Sequence, residues 1–397
     1  MIYYLYELMK DWLDAHGMGF FRVFGYVSFR AILAILFSFI FVILAARPTI
    51  RWLIKMKIGD NPEFHHRDLN EIMKQKANTP TMGGILISVA ILLSTVLLAN
   101  LQSFYVYMAI LCLLWLSILG GFDDWLKLTS SRRSPDSREG LKFWEKAVFQ
   151  TGLAVLLGIF IHLHGHTKFT DFPSELRDMS HSLTLPFSKS WIFDAEQQRY
   201  ITNVIVLSAW PFILLSILVI TGASNAVNLT DGLDGLASGI MAVCAFAFMV
   251  LAYIAGYEPL AKFLLVPYIP LSDELAIVAG AMVGSCLGFL WFNCLPAQVF
   301  MGDTGSLPLG GLLGYIAVVI RQEFLLLIIG GVFVLEALSV IIQVGYFKFC
   351  GGRRFFKCAP IHHHFHILGW TEPQVVVRFW LISALLAALA LAMLKLR

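Results

Sequence analysis

Four short stretches of this chain gather the residue types that handle phosphate, metal ions or protons. The first is Asp123-Asp124-Trp125-Leu126-Lys127, two adjacent carboxylates with a lysine one helical turn on. Asp124 and Lys127 share a helix face at i, i+3 spacing. That suits a plain charge pair at a helix end, or a carboxylate pair handling a proton or a phosphate-bound magnesium, whose ligands are hard oxygens. The second stretch, Asn228-Leu229-Thr230-Asp231-Gly232-Leu233-Asp234-Gly235, sets two acids and an amide in one loop. Its glycines permit tight turns and close backbone approach. It lacks the spacing and closing glutamate of an EF-hand loop, so calcium fits poorly.

The third stretch, Phe300-Met301-Gly302-Asp303-Thr304-Gly305-Ser306, opens an apolar run. Backbone N–H groups at a helix start suit phosphate oxygens, and Asp303 is placed there either as a metal ligand or as a simple N-cap. The fourth, His362-His363-His364, follows Pro360, with Cys350 and Cys358 upstream and His366 beyond. Zinc favours cysteine and histidine ligands, but this cysteine spacing is not a zinc pattern, and Arg353, Arg354 and Lys357 crowd the loop with positive charge. A cationic, hydrogen-bonding lid for an anionic substrate fits better. Lys74 and Lys76 precede Thr79-Pro80-Thr81-Met82-Gly83-Gly84, where they either anchor a helix or meet substrate. Glu336 and Gln343 share a helix face, Glu336 as a structural partner and Gln343 nearer the substrate end.

The elements that position these groups must lie in a membrane. Apolar residues make up 58% of the 397 and charged residues 14%, and mean hydropathy is +0.76. Soluble domains run near ~25% charged, so a soluble globule is excluded. A β-barrel, built from alternating segments of ~10 residues, is excluded by the unbroken runs. Apolar stretches at about 24–46, 81–99, 104–122, 143–163, 201–221, 236–256, 275–292, 304–320, 324–347 and 376–395 each approach the ~20 residues of a spanning helix. The expectation is an all-α, polytopic membrane protein with about ten transmembrane helices, one embedded domain over 1–397. Cys112, Cys244 and Cys286 lie inside apolar runs, so no disulfide framework is implied. Residues 1–22 carry Glu7, Asp11 and Asp14 and lack a basic start, so they do not read as a cleaved signal.

Loop charge gives the orientation. Arg47, Arg51, Lys55, Lys57, Arg67, Lys74 and Lys76 fill the loop 47–80, and basic residues also cluster in 123–142 and 348–375. Positive-inside reasoning puts these loops in the cytoplasm and both termini outside, with an extended outer loop at 164–200. All four chemical stretches then fall on the cytoplasmic side. Acids beside apolar helix ends are costly and usually functional. The small net charge of +3, in short clusters, argues against a nucleic-acid partner.

Together these motifs resemble the bacterial phospho-N-acetylmuramoyl-pentapeptide transferases, of the polyprenyl-phosphate N-acetylhexosamine-1-phosphate transferase superfamily. The likeness is carried by TPTMGG at 79–84, GFDDWLK at 121–127, NAVNLTDGLDGLA at 225–237, PAQVFMGDTGSL at 296–307 and PIHHHFHILGW at 360–370, across nearly the whole chain. The resemblance implies a magnesium-dependent enzyme of the bacterial cytoplasmic membrane. It would move phospho-MurNAc-pentapeptide from UDP-MurNAc-pentapeptide to undecaprenyl phosphate, giving lipid I and UMP, and would form a homodimer. Residue by residue, it implies Asp303 as main magnesium ligand and Asp123, with Asp124 beside it, as the group that deprotonates the lipid phosphate. It implies Lys127 and Lys146 as phosphate-neutralising groups and His363 as a further catalytic residue. Asn228, Asp231 and Asn293 would line the nucleotide cleft, with Gly232, Gly302, Ser306 and Ala359. Asp234 would meet the uracil imide and Phe300 would stack on its ring. Lys74, Thr79, Gln343, His362 and His364 would complete the rim.

Two positions depart from the pattern. Asn78 stands where the family usually has Gly, and the loop 164–200 is longer than usual. A sister enzyme loading GlcNAc-1-phosphate onto the same lipid shares the acidic motifs; the HHHFHILGW segment favours the muramoyl-pentapeptide enzyme. A secondary transporter would place its carboxylates at broken helices near the midplane, and here they cluster at helix ends.

Overall fold

The computed structural model describes residues 1–56, 79–133, 140–166, 178–194 and 199–396. Lys74 and Asn78 lie outside them. The described chain is a helical bundle. An N-terminal helix α1 (Ile2–Ala15) precedes α2 (Val27–Lys55), α3 (Gly84–Leu98), α4 (Phe104–Arg133) and α5 (Phe143–His166). Then come α6 (Ala209–Thr230), α7 (Leu236–Gly256), a short α8 (Glu258–Leu264), α9 (Leu275–Asn293) and α10 (Asp303–Val319). Beyond them lie α11 (Glu323–Ile329), α12 (Gly331–Phe349), a short α13 (Ile361–Ile367) and α14 (Glu372–Met393). Among the described residues, eight helices are long and apolar enough to cross a membrane, and the shorter α3 and α10 match two further expected runs.

Two helices form the centre. Every residue of α10 is buried, and α9 is buried along most of its length. Small residues make this possible, because no hydrophobic effect drives helices together in lipid and close backbone contact must do so. Gly280, Gly284 and Gly288 follow one stripe of α9; a Cβ on Gly280 would sit 2.6 Å from the Ala31 carbonyl of α2, and one on Gly288 3.0 Å from that of Phe39. On α10, a Cβ at Gly314 would meet the Val219 carbonyl of α6 at 2.9 Å. One apolar core joins residues from Ala31 to Leu394.

The fifth apolar run differs from its expected bounds of 201–221. Its helix begins at Ala209 and continues to Thr230, so Asn228 sits on the last turn of α6 and not in a loop. Residues 201–206 are instead extended: β3 (Arg199–Thr202) pairs with β2 (Trp191–Asp194), and β4 (Ile205–Val206) pairs with β1 (Ser182–Leu183), both antiparallel. The physical reason is local. Ile201, Thr202, Val204, Ile205 and Val206 are β-branched, and stiff χ1 angles favour strands. The described part of the 164–200 loop is therefore folded and docked. Trp191 is buried and its Nε1 donates to the Val266 carbonyl at 2.8 Å, while Met179 joins the core. The ninth run is likewise divided, at Gly330, into α11 and α12.

Candidate active site

The bundle brings one end of α4, α6, α9 and α12 together with the starts of α3, α5, α7, α10 and α13. There the side chains of Asp123, Asp124 and Asp303 converge, with ligand oxygens all within 4.8 Å of one another. Lys146 Nζ, from the first turn of α5, lies 2.6 Å from Asp123 Oδ2 and 2.6 Å from Asp303 Oδ2. Lys127 Nζ lies 2.7 Å from Asp123 Oδ2 and 3.2 Å from Asp303 Oδ2. Glu145 Oε2 accepts the Lys142 N–H at 2.8 Å, capping the start of α5, the turn that carries Lys146. The Gly140–Leu141 turn closes over Asp123: Leu141 N–H donates to Oδ1 at 2.7 Å, and a Cβ on Gly140 would lie 2.6 Å from that oxygen.

The two adjacent aspartates have separate jobs. Asp124 accepts the Asp303 N–H at 3.2 Å, the Thr304 N–H at 3.0 Å and the Thr304 hydroxyl at 2.7 Å. It caps α10 from another helix, filling the orphan donors of that helix start. Those N–H groups are thus already engaged by a carboxylate, which corrects the expectation that they serve phosphate oxygens. Gly302 precedes them at φ +71°, and a Cβ there would lie 2.6 Å from Asp124 Oδ2, so only glycine suits the turn. Asn228 Nδ2 donates to Asp303 Oδ1 at 2.8 Å and to Ser306 Oγ at 2.9 Å, fixing the other side of Asp303. Thr304 was not singled out in the sequence, although it follows Asp303 directly.

Three carboxylates face two ammonium groups, one negative charge in excess when all are ionised. Lys127 is 41% exposed, so the cluster opens on its side. Hard oxygen donors at this spacing, short of positive charge, could hold a metal ion. Asp231 stands close by, half-buried at the end of α6. Burial first, and then the charges of Asp303 and Asp124, push its carboxyl up to about 7. A cation arriving beside it would reverse that shift.

The remaining expected residues surround this centre. Asp234 is buried; its Oδ2 accepts the Ala297 N–H at 3.0 Å, and its own N–H donates to Glu372 Oε1 at 2.9 Å. Glu372, at the start of α14, carries no signal beyond a first-turn acid. Asn293 is buried, with Oδ1 accepting from Gly235 N–H at 3.1 Å and Ser238 Oγ at 3.2 Å, and Nδ2 donating to the Val299 carbonyl at 2.9 Å. It locks the 231–235 loop to the 294–299 turn. Thr79 leads into a segment clamped against Phe300: Phe300 N–H donates to the Pro80 carbonyl, and Gly83 N–H to the Phe300 carbonyl, each at 2.8 Å. Gln343 Oε1 accepts the Phe356 N–H at 2.8 Å and so orders the turn that leads to Ala359 and α13. His364 Nδ1 accepts the Lys357 N–H at 3.1 Å. His362 and His363 are both buried, their ring centroids 4.2 Å apart; His362 lies beneath the rim where the sequence put it.

The class of this helical membrane protein is given by its family match: residues 104–321 match the family model described as glycosyl transferase family 4. Residues 76–87 match signature 1 of phospho-N-acetylmuramoyl-pentapeptide-transferase. The chain is 44% identical to the protein of that name from Desulfotalea psychrophila, over 95% of this chain and 96% of the relative. It is 42% identical to those from Thermodesulfovibrio yellowstonii and Koribacter versatilis, over 100% of both chains in each case. The chain belongs to the phospho-N-acetylmuramoyl-pentapeptide-transferase family and is a polytopic, all-α membrane protein.

Proposed function

We propose that the protein transfers phospho-MurNAc-pentapeptide from UDP-MurNAc-pentapeptide to undecaprenyl phosphate, giving lipid I and UMP. The observation that carries this reading is the cluster of Asp123, Asp303, Lys127 and Lys146, in a chain alike to its named relatives over their full length. Two anions must be brought together for this reaction, so positioning and charge neutralisation dominate. Asp123 takes the proton from the lipid phosphate. The freed oxygen forms a bond to the sugar-side phosphorus, the bond to the UMP oxygen breaks, and UMP leaves. Lys127 and Lys146, which already bridge the carboxylates, neutralise the phosphate oxygens as charge moves to the leaving group. Asp124 holds the start of α10, and Asn228 the side chain of Asp303, in place. Asp303 and Asp123 would hold a magnesium ion, which supplies Lewis-acid neutralisation of the pyrophosphate. Asp231 and Asp234 border the nucleotide cleft, with Phe300 beside the uracil and His363 and His364 toward the sugar and peptide.

Loop charge supports a cytoplasmic site in the bacterial inner membrane, since the basic loops flank the acidic end. Lys189 and Arg353 are both exposed; Lys189→Cys and Arg353→Cys variants should take up impermeant label from opposite sides. A homodimer belongs to the same reading and is checked by the mass of the solubilised particle. Substrate choice is the decisive test. Purified protein with magnesium and undecaprenyl phosphate should consume UDP-MurNAc-pentapeptide and leave UDP-GlcNAc nearly untouched, with the lipid product identified by mass. Equal turnover of both sugar nucleotides would favour the sister GlcNAc-1-phosphate transferase.

A further inference from the structure

A further buried acid lies under the candidate site and is unused by the chemistry above. Glu336 sits on α12, fully buried among Val332, Phe333 and Ser339. A carboxylate inside a membrane helix is expensive and calls for a partner. Its Oε2 lies 3.0 Å from His362 Nδ1, at the start of α13. Among the described residues, Glu336 Oε1 and His362 Nε2 are buried and have no hydrogen-bonding partner. The far side of the imidazole presses on the loop that carries Asp231: a Cβ on Gly232 would lie 2.5 Å from His362 Nε2. Carboxylate, ring and glycine thus form one line from α12 through α13 to the turn between α6 and α7.

We infer that Glu336 is a positioning residue for the transfer reaction, acting through His362 on the Asp231–Gly232 turn. A carboxylate accepting from Nδ1 fixes the ring's tautomer and orientation, as partners of working histidines do. With the ring fixed, α13 and the turn keep one separation, and Gly232 is the residue that permits the contact. His363 follows on the same short helix, so its place also depends on that register. Gln343, a side chain on the same α12, holds the turn ahead of α13. The inference rests on the reading that this end of the bundle is the transferase site.

A double-mutant cycle tests it in the full-length protein, with UDP-MurNAc-pentapeptide, undecaprenyl phosphate and magnesium. Glu336→Leu removes the acceptor at similar size and should lower kcat/KM for the sugar nucleotide about thirtyfold, on the scale seen for partners of working imidazoles. KM for the lipid phosphate should stay within about twofold, because the turn faces the nucleotide side. Glu336→Gln still accepts from Nδ1 and should keep activity within about threefold. His362→Ala should match Glu336→Leu, and the double variant should be no worse than His362→Ala alone. Multiplying effects in the double variant, or an active Glu336→Leu, would overturn the inference. So would a Glu336→Gln variant as poor as His362→Ala, and this arm stands even where Glu336→Leu fails to fold. A wild-type protein that does not turn over the muramoyl nucleotide would instead overturn the site reading itself.

Discussion

Buried charge occurs at both ends of this bundle, and the two ends treat it differently. At the end away from the acidic loops, Arg30 of α2 donates to Glu274 through Nη1 at 2.9 Å and Nη2 at 2.7 Å. The same Nη1 reaches the Leu98 carbonyl at 2.9 Å, Asn100 N–H donates to Glu274 Oε2 at 2.7 Å, and the Tyr3 ring covers the guanidinium at 4.1 Å. One cation meets one anion, and both are shut from water. At the other end, three carboxylates share two lysines, and Lys127 remains partly open. A bidentate, matched pair fixes the approach of α2, α3 and α9. A cluster short of one positive charge is held together by its surroundings and is completed by something that binds. The contrast separates a lock from a site without reference to any relative.

The contrast can be broken by removing one charge at each end. Asp303→Asn keeps side-chain size and should lower turnover by about a thousandfold or more, on the order of 4 kcal/mol of barrier, while the protein stays folded and extractable. Lipid-product formation against time measures it; turnover near wild type would remove Asp303 from the centre of the reaction. At the locked end the signature inverts. Arg30→Met leaves the Glu274 carboxylate buried without its partner, and should cost about 3 kcal/mol of stability. It shows as earlier thermal inactivation in detergent, with turnover per folded molecule unchanged. A stable Arg30→Met protein with lost turnover would show that the far end is not a passive lock. Smaller still, Trp191→Phe deletes the hydrogen bond to Val266 and should cost about 1 kcal/mol. Its turnover should match wild type, since the hairpin docks opposite the site. A loss of activity there would tie the 164–200 loop to catalysis.

What the sequence made legible follows from chemistry with short range. Unbroken apolar runs mark spans because backbone groups in lipid must be satisfied within the helix, and acids at their ends stand out by rarity. The partners of those acids were hidden. Asp124 caps a helix that begins 179 residues later, and Arg30 finds Glu274 across 244 residues; no local pattern announces either. The misplaced start of α6 was readable in part. Ile201, Thr202, Val204, Ile205 and Val206 carry β-branched side chains ahead of Ser208, an N-cap type, and Pro211 falls in the first turn. The apolar count concealed these cues, since strand and helix are equally greasy there. Glu336 was expected as a structural partner, and the structure gives that partner a name in His362.

The central claim is that, among the described residues, the acidic cluster takes a divalent cation. Manganese, a spectroscopic stand-in for magnesium, can be titrated into the metal-free purified protein and its free fraction read by electron paramagnetic resonance. The account predicts one site per chain, displaced by excess magnesium, abolished in Asp303→Asn and unchanged in Arg30→Met. Undiminished manganese binding in Asp303→Asn, or no binding in the wild type, would contradict it.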